Sequence, residues 1–176
     1  MGITNCRHRK VLNSLSLYTG AGGLDIGLEV SGFRPIACIE EDSSARDTLV
    51  KNRSKWHLPI YGDIHQVRSL AKGCSLLEVL GVGESAVDLV SGGPPCQPFS
   101  KSSYWSNNGK TARLSDARAD TIDAYFWVVE QTRPKALILE NVDAISYKGK
   151  DEALAHIRGL LDDINRRLKT NYQPSV

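Results

Sequence analysis

The sequence predicts an α/β domain of the doubly wound kind, with a mostly parallel sheet covered on both faces. Three observations predict it. Short apolar runs of strand length recur along the chain, and stretches with helical spacing alternate with them. The 176 residues also suit one domain with a full hydrophobic core. Hydrophobic residues make up 41% and charged residues 24%, which excludes a disordered chain.

The first strand is expected at 14–18, where Leu15 and Leu17 alternate with Ser14 and Ser16. A Gly-rich turn and a helix over 24–30 follow. The second strand covers 36–40 and a helix covers 43–51. A short strand is expected to end near Tyr61, before a helix over 65–80. The third strand, 87–91, runs into a long stretch over 92–118 that is rich in Gly, Pro, Ser and Asn and has no period. Loops of this length inside a domain are uncommon and tend to be functional. A helix over 121–131 and a strand over 136–140 come next. The last helix, 151–169, carries Leu154, Ile157, Leu160, Leu161, Ile164 and Leu168 on one face, with most charges off it.

No uncharged apolar run approaches the ~18 residues of a membrane-spanning helix. Residues 1–10 are polar and basic, unlike a secretory signal. Met1-Gly2 opens like a myristoylation signal, but position 6 is Cys rather than Ser or Thr. The net charge of +2 does not by itself argue for a nucleic-acid partner. Cysteines stand at 6, 38, 74 and 96, with no Cys-x-x-Cys and no zinc-ligand spacing, so no metal is expected. A chain this long can build a core without disulfides, and the protein reads as cytosolic with reduced thiols.

Three stretches carry chemistry. The first is Tyr18-Thr19-Gly20-Ala21-Gly22-Gly23-Leu24, a strand running through glycines into a helix. Its glycines let backbone approach a ligand, and a helix start favours polar or anionic groups. No Lys-Ser or Lys-Thr follows, so it is no phosphate loop. Gly-x-Gly-x-x-Gly fails too, because the sixth position from Gly20 is Asp25. Glu40 ends the next strand, at the distance where an acid commonly binds ribose hydroxyls. The pairing suggests a nucleoside cofactor; a plain strand-to-helix turn is the equal alternative. The second stretch is Gly92-Gly93-Pro94-Pro95-Cys96-Gln97-Pro98-Phe99-Ser100, where prolines stiffen the backbone around a thiol beyond a strand end. A thiol with lowered pKa is a strong nucleophile. The third stretch is Leu139-Glu140-Asn141, where desolvation at a strand end would raise the carboxyl pKa and let it deliver a proton. A capping acid is the plain alternative.

These residues resemble the DNA cytosine-5 methyltransferases that use S-adenosyl-L-methionine (AdoMet). The segment from Pro94 to Ser100 matches the family's nucleophile motif in full, and Glu140-Asn141-Val142 matches its second catalytic motif. The stretch from Tyr18 to Gly23 looks like the AdoMet loop, with Tyr18 where Phe is usual. Gly62-Asp63-Ile64 resembles the segment that meets the adenine. Asp116-Ala117-Arg118 resembles the next segment, where Ala119-Asp120-Thr121 departs from Gly-x-Leu. The resemblance implies an AdoMet-dependent, Rossmann-like methyltransferase fold over 11–176, behind a tail of 1–10. It implies Cys96 and Glu140 as catalytic residues. It implies AdoMet contacts from Tyr18, Gly20, Gly22, Gly23, Leu24, Glu40, Asp63, Ile64 and Pro95.

The substrate so implied is double-stranded DNA. The Cys96 thiolate would add to C6 of a flipped-out cytosine, with Glu140 at N3, and C5 would take the methyl group. Gln97, Ser100, Lys101 and Arg118 are the expected DNA contacts, in a loop where 101–118 carries a local charge of +3. Transfer RNA as substrate, or an idle AdoMet- or partner-binding domain, are the alternatives. Restriction–modification, near the bacterial nucleoid, is the setting suggested by analogy. No Gln-x-Arg-x-Arg occurs, and 171–176 looks like the start of another strand. The fold is therefore expected to be C-terminally incomplete, either as a truncated product or as one half of a split enzyme whose complementary polypeptide carries that motif and a target-recognition region.

Overall fold

A computed structural model describes residues 11–95, 120–141 and 152–175. Its sheet has four parallel strands in the order β2-β1-β3-β4: β1 (Leu12–Leu17), β2 (Phe33–Ile39), β3 (Leu89–Gly92) and β4 (Ala136–Leu139). This is the α/β, doubly wound arrangement that the alternation of elements predicts. β1 is flanked by β2 on one side and β3 on the other, so the strand order reverses there. Ligands of open α/β sheets bind beyond the strand C-termini at such a reversal.

β1 is buried on both faces: Ser14, Leu15, Ser16 and Leu17 are all at or below 1% exposure. Its Leu face meets the main core, which includes Ile39, Val67, Val90, Tyr125, Val128 and Ile164. Helices α3 (Ile64–Leu70), α4 (Leu76–Val79), α5 (Asp120–Thr132) and α6 (Glu152–Leu168) contribute to that layer. A smaller cluster of Cys38, Leu49 and Trp56 joins β2 to α2 (Ser43–Asn52), and α1 (Gly23–Val30) packs on β2 nearby. The Tyr125 hydroxyl donates to the carbonyls of Val90 and Ile138, tying α5 to both β3 and β4.

At the sheet's N-terminal edge, the buried Asp88 carboxylate accepts from the Asn13 N–H at 2.9 Å and from Lys135 at 2.6 Å. β2 carries one extra residue, Ile36, between the Ser14–Pro35 and Leu15–Ala37 pairs. Pro35 is tolerated because β2 is an edge strand among the described residues.

Three expectations need correction. The helix over 65–80 is two helices, because Gly73 turns the chain at φ +97° and Ser75 starts α4. No strand ends near Tyr61; that segment is held instead by contacts to the end of β2. Residues 170–175 form no strand, and the Tyr172 hydroxyl donates to the Pro134 carbonyl at 2.6 Å. No helix among the described residues is long and apolar enough to cross a membrane.

Candidate active site

All four strands deliver a candidate residue to the sheet's C-terminal edge. After β1 the chain turns through three left-handed residues, Tyr18 (φ +55°), Gly20 (φ +56°) and Gly22 (φ +87°). Gly22 has no alternative: a Cβ there would lie 2.9 Å from both Leu49 and Trp56. α1 then begins at Gly23 with Gly22 as its cap. The Thr19 N–H donates to the Ile39 carbonyl at 3.2 Å, so the loop stays pinned to β2 as it leaves the sheet.

Glu40, the first residue past β2, holds this loop. Its Oε2 accepts from the Gly20 N–H and its Oε1 from the Asp42 N–H, each at 2.7 Å. Gly62 packs onto the same corner, since an added Cβ would sit 2.1 Å from the Glu40 carbonyl oxygen. Arg46 completes it by donating to the carbonyls of Glu40 (3.0 Å) and Pro59 (2.8 Å). Asp63 caps α3, accepting from the His65 N–H at 2.8 Å. Gly20, Glu40, Gly62 and Asp63 therefore form one continuous wall. Ile64, expected at the adenine, is 3% exposed and belongs to the core. Leu24 is half-buried and Gly23 is exposed.

The second half of the site lies beyond β3 and β4. The Glu140 N–H donates to the Gly92 carbonyl at 2.9 Å, which continues the strand pairing by one residue. The Glu140 carboxylate then lies in the space a side chain would fill at Gly93: a Cβ there would be 2.9 Å from Oε2. Asn141 donates from Nδ2 to the Pro94 carbonyl at 3.1 Å. Glu140 and Asn141 thus bracket Gly93-Pro94, immediately before exposed Pro95. Glu140 is itself exposed. Cys96, Gln97, Ser100, Lys101 and Arg118 lie outside the described residues, as does the tail of 1–10.

Arg46 is the contributor that residue patterns did not single out, while Gly93 and Asn141 stood inside quoted stretches without a role of their own. Arg46 left no signal, because it acts on main-chain carbonyls from a helix. Asn141 could have been found, since it directly follows the acid. Among the described residues no group of three or more His, Cys, Asp or Glu could hold a metal ion.

With this geometry in hand, comparison with known proteins is specific. The profile of the C-5 cytosine-specific DNA methylase family matches residues 12–172. The chain belongs to that family. Among its relatives is the Type II methyltransferase M.AquIA of Picosynechococcus sp., 35% identical over 143 residues, which are 81% of this chain and 53% of the relative. Another is the Type II methyltransferase M.NgoMIV of Neisseria gonorrhoeae, 38% identical over 129 residues, which are 73% of this chain and 35% of the relative. The chain thus spans about half, or less, of the curated relatives it matches. The fold is shared with a prophage-encoded protein of E. coli whose crystal structure is known. That match has a TM-score of 0.65 at 23% identity and covers 86% of this chain and 38% of the other. The segments from Pro94 to Ser100 and from Glu140 to Val142 both lie inside the matched region.

Proposed function

We propose that this chain is the catalytic portion of a DNA (cytosine-5) methyltransferase that uses AdoMet. The observation that carries the reading is the seat of Glu140, whose carboxylate occupies the space beside Gly93 while Asn141 fastens Pro94. That arrangement holds an acid next to the segment leading into Cys96, as a reaction needing both groups on one ring requires.

The residues after β1 and β2 fit AdoMet. A Cβ added at Gly20 or Gly23 would meet nothing within 4 Å, so the loop has open space above it. Glu40 already accepts two N–H groups, but a carboxylate offers about four lone-pair sites and can still receive ribose hydroxyls. Asp63 stands beside it to meet the adenine, with Tyr18, Gly22, Leu24 and Pro95 as the remaining AdoMet-binding residues. When bound, AdoMet supplies an electrophilic methyl group. The Cys96 thiolate adds to C6 of cytosine, pushing the C5–C6 π electrons onto C5, while Glu140 in its protonated form donates to N3 and absorbs the developing charge. After C5 is methylated, loss of the C5 proton to a base re-forms the double bond and expels the thiolate. The ring must leave the duplex for this, at a cost of a few kcal/mol. Gln97, Ser100, Lys101 and Arg118 are assigned to the DNA.

A complementary polypeptide carrying Gln-x-Arg-x-Arg and the target-recognition region belongs to this proposal. It is supported by β4, an edge strand among the described residues whose Ile138 is 37% exposed.

Covalent trapping tests the chemistry. With AdoMet, a duplex bearing 5-fluorocytosine at its target should yield a denaturant-stable protein–DNA adduct, assayed in the presence of the complementary polypeptide. Cys96→Ala should abolish the adduct and Cys38→Ala should not. An undiminished adduct in the Cys96 variant would sink the assignment, and an adduct confined to transfer RNA would move the substrate.

A further inference from the structure

Both sides of the proposed AdoMet site are fastened to the same helical turn, the start of α5. From the Gly-rich loop, the Tyr18 hydroxyl donates to the Thr121 carbonyl at 2.8 Å, across 103 residues of sequence. From α3, whose first residue follows Asp63, His65 and Arg68 reach the Asp120 carboxylate at 3.4 and 3.8 Å. The two ties differ in weight. The ion pairs are half-exposed and contribute little, whereas the Tyr18 bond is partly buried, where an unmade bond is costly.

Tyr18 also needs a tie. It sits at φ +55°, a conformation that a non-glycine residue keeps only when its surroundings over-determine it. A Phe ring would fill the same space and make no bond. The hydroxyl is thus what this chain adds to the loop, and burial together with Asp120, Glu41 and Asp63 pushes its pKa up, so it remains a donor.

We propose that the Tyr18 hydroxyl is a positioning group that sets the AdoMet loop against the first turn of α5, so that cofactor affinity depends on a helix start. This rests on the AdoMet reading above. On the β2 side the loop is held by Glu40 to Gly20 and by Thr19 to the Ile39 carbonyl; the Tyr18 bond fixes it to the opposite side of the site. Removing the Tyr18 bond leaves the loop held on the β2 side only.

Titration calorimetry of the full chain with AdoMet tests this. Tyr18→Phe should raise Kd about fivefold to tenfold, the range expected for one buried hydrogen bond. Tyr18→4-aminophenylalanine, which restores a donor, should return Kd to within about twofold of wild type. A Tyr18→Phe protein with lowered Tm but wild-type Kd would reduce the residue to a core ring and overturn the proposal. Should that variant fail to fold, hydrogen exchange on the wild type decides: AdoMet must slow amide exchange in the first turn of α5, and unchanged exchange would overturn the coupling. Wild-type protein that binds no AdoMet would overturn the cofactor reading and this proposal together. Binding that is equal in wild type and Tyr18→Phe would overturn this one alone.

Discussion

Two glycines at the site are required for opposite reasons, and they give contrasting expectations. At Gly62 an added methyl would meet a backbone oxygen at 2.1 Å, which cannot move without moving β2's end. At Gly93 it would meet the Glu140 carboxylate at 2.9 Å, the far end of a flexible side chain. Gly62→Ala should therefore cost about 1–3 kcal/mol in denaturant unfolding, with weaker AdoMet binding as a consequence. Gly93→Ala should leave the unfolding midpoint nearly unchanged while methyl transfer falls at least about tenfold, because it evicts the acid from its seat. A large stability loss in the second variant would mean that Gly93 serves packing. Single residues of this kind were only half legible. Glu40 and Glu140 stand at strand ends, where a sequence pattern can find them. The need for glycine at 62 and 93 depends on contacts between distant segments, which no local pattern encodes.

Among the elements, α1 carries a cost that its sequence conceals. Asp25, in its first turn, is 1% exposed, and neither carboxylate oxygen has a hydrogen-bond partner among the described residues. Burial raises its pKa. A carboxyl whose pKa is higher folded than unfolded contributes stability below its unfolded pKa and loses it as pH rises through the folded value. At pH 7 the buried site thus works against the fold. Asp25→Asn should raise Tm at pH 7, and that gain should vanish as pH falls below the usual Asp range. A pH-independent difference in thermal melts would count against this account. The other strands and helices were legible from periodicity, apart from the strands expected near Tyr61 and from 171 onward, which do not form. The division of α3 from α4 was not, because the apolar spacing continues across Gly73 and only its φ of +97° ends the helix.

At the scale of the whole molecule, the two edges of the sheet have different work. The N-terminal edge is closed by Asp88, which joins β1, β3 and the approach to β4. The C-terminal edge collects Gly20, Glu40, Pro94 and Glu140. β4 is an edge strand among the described residues, and its Ile138 remains exposed. We expect the 176 residues alone to transfer little or no tritiated methyl to DNA, and transfer to appear when a polypeptide bearing Gln-x-Arg-x-Arg and a recognition region is co-expressed. Robust, site-specific methylation by the chain alone would refute this. The fold class was legible at this scale because alternation of elements survives any error in their ends. The joining of Tyr18 to Thr121 was not, since a carbonyl acceptor can be offered by any residue type.

The extra residue in β2 has a consequence for how this site tolerates changes of length. Up to Pro35 the strand runs in one phase with β1, and from Ala37 onward in another, with Ile36 as slack between them. Glu40 reaches Gly20 only because the second phase is right, and a slip there of a single residue would turn its carboxylate to the other face. A relative one residue shorter at this point could lose the bulge and still keep Ala37 opposite Leu15. Length can therefore drift between α1 and Ile36 without disturbing the Glu40–Gly20 contact, whereas the stretch from Ala37 to Glu40 has no such freedom.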